Sequence, residues 1–479
     1  MSVSSTVKSI QGIMRKDVGV DGDAQRISQM VWMFFLKIFD DNEDELEMLL
    51  ENYRSPIPEH LRWRNWAKND EGLTGDELLD FVNNDLFPTL KNLSLDPDEP
   101  RGAVVRSVFE DAYNYMKSGT LLRQVANTIN EVDFNSSQDR HTFGDIYEQI
   151  LRDLQSAGNA GEYYTPRAVT QFMVDILNPR LGERVLDPAC GTGGFLACTI
   201  EHLKTQTPSV LERKQIETCL AGVEKKPLPH MLCVTNMLLH DVENPNFILH
   251  DNTLSRPLRD YGPRDRVDLI LTNPPFGGIE EDGIESSFPA SFRTKETADL
   301  FMVLIMHLLK DGGRAGVVLP DGFLFGEGVK TRIKEKLLSE FNLHTIVRLP
   351  NGVFNPYTGI KTNLLFFEKG KATEAIWYYE HPYPPGVKSY NKTKPIRIEE
   401  FEREKQWWAQ REESSLAWRV PVADIVKNNY NLDLKNPHVA DSNQETPEVL
   451  FARYQALQSE IQSLRSQLRD ELKACLERA

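Results

Sequence analysis

Four consecutive residues, Asn273, Pro274, Pro275 and Phe276, follow the apolar run "LILT". The Asn side-chain oxygen and a main-chain oxygen steadied by proline's fixed φ can together accept both N–H hydrogens of a planar amine. An aromatic ring beside them can stack on the base that carries that amine. An exocyclic ring amine is a poor nucleophile because its lone pair is delocalised into the ring. Two well-placed acceptors draw the nitrogen toward tetrahedral geometry and free that lone pair. The same four residues can equally be a plain rigid turn, so what lies around them decides between the readings.

Upstream, "VLDPACGTGGF" (185–195) ends an apolar run in Asp187 and continues into a turn with Gly191, Gly193 and Gly194. These glycines permit a tight bend and let a ligand approach main-chain N–H groups. The spacing misses the dinucleotide fingerprint, since no glycine stands at its third glycine position. A phosphate-binding P-loop is also absent: "GEGVKT" comes closest and has Val329 where glycine must precede the lysine. Glu224 in "GVEKK" ends the next apolar run and is placed to accept from both hydroxyls of a ribose. Asp251 in "LHDN" ends the third and can accept from an exocyclic amino group. Each acidic tip alone could be a helix cap. Three in register beside a Gly-rich turn indicate a nucleoside-containing cofactor, and the Asn273 turn closes a fourth run on the same edge, where open α/β sheets bind ligands.

The elements that must position these residues are short apolar runs alternating with helical segments, the sign of a mostly parallel sheet. Strands are expected at 184–189, 219–224, 246–251, 268–273, 314–320, 344–350 and 363–369. They make a seven-stranded, doubly wound α/β domain whose last two strands pair as an antiparallel hairpin at the sheet edge. "EAIWYYE" beyond them is strand-like. Residues 1–150 read as a helical N-terminal domain from the spacing of apolar residues in "AQRISQMVWMFFLKIFDDNEDELEMLLE", and 151–440 as the catalytic domain. In 441–479, Leu450, Tyr454, Leu457, Ile461, Leu464 and Leu468 alternate at spacings of four and three, a coiled-coil stripe. That helix either folds back on its own domain or docks a partner.

The balance of 55 basic and 71 acidic residues, net −16, argues against a protein that coats nucleic acid through its overall field. DNA contact must then be a local basic patch or be supplied by a partner. The five cysteines form no CxxC pair, and "HMLC" (230–233) lacks a second half-site, so neither a disulfide framework nor a metal is expected. No run of about 18 apolar residues and no signal-like opening occurs, which makes a cytoplasmic protein the expectation.

The set "GEYYTPR" (161–167), "DPACGTGGF", "TNPPFGG", "LPDGFLFG", "GIKTNLLFFEK" and "NYNLDLKNP" resembles the modification subunit of type I restriction-modification systems, an adenine-N6 DNA methyltransferase. The likeness is strong over residues 140–440. It implies S-adenosylmethionine as cofactor, with Asp187, Thr192, Gly193 and Gly194 on its methionine part. It also implies that Glu162, Tyr163, Tyr164, Thr165, Pro166 and Arg167 close the pocket from the side, with Glu224 on the ribose and Asp251 on the adenine. Asn273 through Phe276 then hold a flipped-out adenine in double-stranded DNA. The resemblance further implies a separate specificity subunit flanked by two modification subunits, and a restriction or translocase subunit. The rival readings are a catalytically silent scaffold and transfer to a protein glutamine or an RNA guanine.

Overall fold

The computed structural model describes residues 3–94, 100–132, 147, 150, 164–207, 210–355, 358–391, 394–438 and 447–476. The chain forms two compact units, Met1–Leu434 and Lys435–Ala479. No helix among the described residues is long and apolar enough to cross a membrane.

The N-terminal segment is helical, as its periodicity predicts. Its longest helix, Asp23–Leu49, buries Trp32, Phe34, Phe35 and Phe39. Arg101 on the helix Pro100–Phe109 donates through Nε to Glu43 at 2.8 Å, lies 4.6 Å from the Phe39 ring centroid, and bonds the Glu243 carbonyl. These helices pack on the helix Pro227–Leu239, in which every residue from His230 to Leu238 is buried. His230 stacks on His250 at 4.7 Å, and burial pushes its imidazole down to about 4, so the "HMLC" stretch is helix interior.

Among the described residues the sheet has nine strands: β1 (Val185–Asp187), β2 (Leu220–Glu224), β3 (Ile248–His250), β4 (Val267–Thr272), β5 (Leu309–Pro320), β6 (Phe341–Arg348), β7 (Thr362–Lys369), β8 (Ala375–Glu380) and β9 (Ala417–Pro421). Their order is 3-2-1-4-5-7-6-8-9. Only β7 and β9 run against the rest. All seven predicted strands are present, and β6 and β7 pair antiparallel as expected. The hairpin does not lie at the edge, however. The "EAIWYYE" segment pairs in parallel with β6, and β9 closes the sheet beyond it. β5 starts at Leu309, five residues before the predicted start at 314, because "LKDGG" forms a bulge opposite Val267–Leu269, with Gly312 at φ 76°.

Alternation along the central strands feeds two cores. Leu269, Leu271, Val318, Leu364 and Phe366 join the core shared with the N-terminal helices. Ile270, Val317, Leu319, Leu365 and Phe367 pack with the helices Thr297–Leu308 and Val329–Glu340 on the other face. Each fully buried Leu or Phe contributes about 1.5–3 kcal/mol, and a one-residue slip would move every one of them to the wrong face.

The described part of the second unit contains the helix Pro447–Leu476. Its Tyr454, Leu457, Ile461, Leu464 and Leu468 are all at least half exposed.

Candidate active site

The carboxyl ends of β1, β2 and β4 open on a cleft of about 300 Å³. At the tip of β1, Asp187 is 1% exposed and its Oδ1 accepts the Ala189 N–H at 3.2 Å. The Gly-rich turn then doubles back. Cys190 N donates to Val223 O on β2 at 3.0 Å, and Gly193 N donates to Cys190 O at 2.8 Å. Gly191 and Gly193 hold φ of 54° and 79°, the left-handed region that side chains disfavour. A Cβ on Gly193 would stand 2.7 Å from Cys233 Sγ, so glycine is required there on two grounds. From the helix Pro227–Leu239, Asn236 Nδ2 donates to Thr192 O at 3.0 Å and fixes the far side of the turn.

Glu224 ties the neighbouring loops together. Its Oε2 accepts Gly191 N–H at 2.9 Å, and its Oε1 accepts Lys226 N–H at 2.7 Å. Burial pushes the Asp187 carboxyl up to about 7, and the negative charge of Glu224 adds to the shift. A cation entering the cleft would favour both ionised carboxylates.

Asp187, Thr192, Gly194, Glu224, Thr165, Asn273 and Pro275 all line this cleft. Gly193 lies within the same turn but is not a lining residue. Of the segment expected to close the pocket, Glu162 and Tyr163 lie outside the described residues. Tyr164 and Pro166 are buried, Thr165 lines the cleft, and Arg167 opens the helix Arg167–Leu177. Asp251 is exposed at the tip of β3 and does not line the cleft. Its Oδ1 accepts the Asn252 N–H at 2.7 Å, and its own N–H donates to Glu224 O.

The turn after β4 forms the opposite wall. Asn273 Nδ2 donates to Thr165 Oγ1 at 2.9 Å, while Asn273 Oδ1 is shielded from water and receives no hydrogen bond among the described residues. Pro274 is buried. Phe276 faces away from the first cleft: with Gly277 it lines a second cleft of about 610 Å³, together with residues of the "LPDGFLFG" segment. Its ring meets Phe354 edge-on at 6.2 Å. The four residues are thus the partition between two adjacent clefts.

Sequence reasoning missed Glu280. It lines the first cleft and accepts from Lys225 Nζ at 3.2 Å, Asn252 Nδ2 at 3.3 Å and Thr297 Oγ1 at 3.3 Å. It is brought there because residues 279–296 fold back on themselves, with Ile279 bridged to Glu296 and Thr297 N bonded to Gly278 O at 3.1 Å. No periodicity marks such an excursion. Cys190, read as packing, is buried with its Sγ 3.7 Å from Cys233 Sγ, and it also lines the cleft.

Residues 138–446 match the family described as N-6 DNA Methylase, and residues 3–129 match the HsdM N-terminal domain. The chain is 62% identical to the Escherichia coli "Type I restriction enzyme EcoEI methylase subunit", with 99% of each chain covered. It is 30% identical to the EcoKI methylase subunit of Escherichia coli K12, over 79% of this chain and 71% of that one. Among solved structures, a chain from a study of complex assembly and conformational transition of the type I R-M system superposes with a TM-score of 0.82. That chain is 35% identical, with 98% of each chain covered. With the two clefts, the partition between them and these matches in hand, the chain belongs to the N-6 DNA methylase family, among the methylase subunits of type I restriction enzymes.

Proposed function

We propose that the chain transfers the methyl group of S-adenosylmethionine to N6 of an adenine flipped out of duplex DNA, as the modification subunit of a type I restriction-modification complex. The observation that carries this reading is the Asn273–Phe276 partition, with a cleft on each side and an unengaged acceptor on Asn273. Transfer between two bound molecules needs two compartments that meet at the reacting atoms, and in-line placement there supplies much of the rate.

The smaller cleft fits S-adenosylmethionine by the chemistry of its donors. Asp187 and Glu224 are anionic partners for a cation and a ribose, and the main chain curves through Gly191 to Gly194 beside them. When bound, the cofactor supplies an electrophilic methyl group. Asp187, Thr192, Gly193 and Gly194 hold its methionine part and Glu224 its ribose, the segment through Thr165 and Arg167 flanks it, and Asp251, at the tip of β3 outside the cleft's lining, is the proposed partner of its adenine. Asn273 Oδ1 and the Pro274 carbonyl accept the two N6 hydrogens, and Phe276 stacks on the base from the second cleft. As the N6–C bond forms the methyl–sulfur bond breaks and leaves a neutral thioether, and the surplus proton of the now cationic N6 passes to solvent, so neither a general base nor a nucleophilic cysteine is needed. Flipping the adenine out costs a few kcal/mol, repaid by stacking and these hydrogen bonds.

A signed pH dependence follows from Asp187. Its folded-state value, about 7, lies above the ordinary 3.8, so the folded chain holds this proton where the unfolded chain has lost it. For this group alone, stability of the cofactor-free protein therefore falls as pH rises from about 4 to 7. A cationic ligand reverses the preference, because it must expel the proton to bind. Cofactor affinity is expected to tighten about tenfold between pH 6 and pH 7.5, and Asp187→Asn to flatten that profile. Equilibrium binding of tritiated S-adenosylmethionine measures it, and an equally flat profile in the unsubstituted protein would refute the contact.

The stripe on Pro447–Leu476 is assigned to the specificity subunit, with two modification subunits flanking one specificity subunit and a restriction or translocase subunit joining them. Leu457→Glu with Leu464→Glu, both at exposed positions, is expected to abolish co-purification with the specificity subunit while the first unit keeps its melting temperature. Unchanged co-purification would remove the helix from the interface. The activity itself is tested by co-expressing the chain with its neighbours and mapping methylated adenines in host DNA by single-molecule sequencing. Absence of N6-methyladenine at a defined sequence would overturn the proposal.

A further inference from the structure

We infer that Thr165 fixes which end of the Asn273 amide meets the substrate, and is therefore a positioning residue for methyl transfer. The inference rests on the proposed transfer to an amine held by Asn273. A carboxamide presents an acceptor at one end and a donor at the other, with nearly the same shape. Only one orientation works: turned over, Asn273 would oppose its own NH₂ to the amine hydrogen that it must accept. Nothing in the shape of the turn makes this choice, so a hydrogen bond must.

Among the described residues, Thr165 is the sole hydrogen-bond partner of the Asn273 side chain. Its Oγ1 lies 2.9 Å from Nδ2, and Oδ1 is left without a donor and shielded from water. A shielded, unpartnered acceptor is unfavourable in the absence of substrate, and the fold sustains one at a residue that lines the cleft. Thr165 comes from 108 residues away in sequence and is firmly anchored. Pro166 follows it, and Pro166 O accepts the N–H of Val169 at 2.9 Å and of Thr170 at 3.2 Å. These bonds start the helix Arg167–Leu177, whose Val169, Phe172 and Met173 are fully buried. A hydroxyl can donate as well as accept. Thr165 lines the cleft too, so its own hydrogen has an outlet there, and a hydroxyl that donates into the cleft offers only lone pairs to Asn273.

The test uses the co-expressed complex, its target DNA and tritiated S-adenosylmethionine. Thr165→Val keeps the shape and removes the acceptor. At saturating cofactor and DNA, kcat is expected to fall about 10- to 100-fold, whatever happens to cofactor affinity, and Thr165→Ser to restore it to within about threefold. Asn273→Asp supplies the second measurement, because a carboxylate has two equivalent oxygens and needs no orienting. In that background Thr165→Val should cost less than about threefold in single-turnover rate, which remains measurable across a thousandfold fall. The inference is overturned if Thr165→Val leaves kcat within about threefold at saturation, if serine does not rescue it, or if the loss is equal in both backgrounds. Should Asn273→Ala itself leave methylation unchanged, the proposed transfer fails. An inactive Asn273→Ala beside a fully active Thr165→Val sinks only the orienting role.

Discussion

Asn273→Ala is expected to slow methyl transfer about 10²- to 10³-fold in single-turnover measurements, with cofactor and DNA affinity held within about threefold. Removing the side chain leaves the Pro274 carbonyl as the one remaining acceptor, and a single acceptor cannot pyramidalise the amine. The loss falls on the transition state because the hydrogen bonds to N6 strengthen as its lone pair leaves the ring. Ground-state binding is spared for a geometric reason. In the proposed function stacking falls to Phe276, which lines the larger cleft, and the cofactor contacts fall to Asp187, Glu224 and the Gly-rich turn at the smaller one. Asn273 is only partly buried and, among the described residues, its one side-chain hydrogen bond is to Thr165, so the substitution should leave the melting temperature nearly unchanged. Undiminished incorporation of tritiated methyl groups would exclude Asn273 from the chemistry and return the turn to a structural part.

Glu224→Ala is expected to weaken cofactor binding about 100-fold or more, equivalent to about 2.7 kcal/mol, and to lower the melting temperature as well. The double effect follows from what the carboxylate already does. It accepts from Gly191 N–H at 2.9 Å and Lys226 N–H at 2.7 Å, and the residue is 6% exposed. Truncation leaves both donors without their acceptor, at about 1–3 kcal/mol each, and leaves the main-chain bond from Cys190 to Val223 to hold the Gly-rich turn to β2. Glu224→Gln keeps one side-chain acceptor and should fall between, near tenfold. Equilibrium binding and thermal melting measured together separate the two roles. A Kd within about threefold of the unsubstituted protein would move the ribose elsewhere.

The site was legible in the sequence where chemistry is written in consecutive residues at strand ends. Asp187, the Gly-rich turn, Glu224 and Asn273 each terminate a short apolar run, and the parallel order of those runs puts their tips on one edge. What stayed hidden depends on chain returning from a distance. The Asn273–Thr165 bond joins residues 108 apart. Glu280 enters the cleft through an excursion with no repeating pattern, and the second cleft is assembled from segments between Phe276 and Ile360. The sheet edge was misplaced for a similar reason. The connection between β6 and β7 leaves no room for a packing helix and so predicts that they pair, and it is silent on whether a later strand covers β6. β9 escaped notice because "AWRVP" is short, with Arg419 in its centre, as an edge strand tolerates.

The change in sequence texture near residue 150 suggests a seam, and the helix Pro227–Leu239 is where the parts on either side of it meet. That helix has no watery side from His230 to Leu238: the sheet covers one flank and the N-terminal helices cover another. Through Asn236 it also props the Thr192 carbonyl. The N-terminal helices are thus the foundation on which the Gly-rich turn stands. A chain begun at residue 151 would turn an apolar wall to solvent directly behind its own binding loop, so the helical segment cannot be exchanged or trimmed like an appended module.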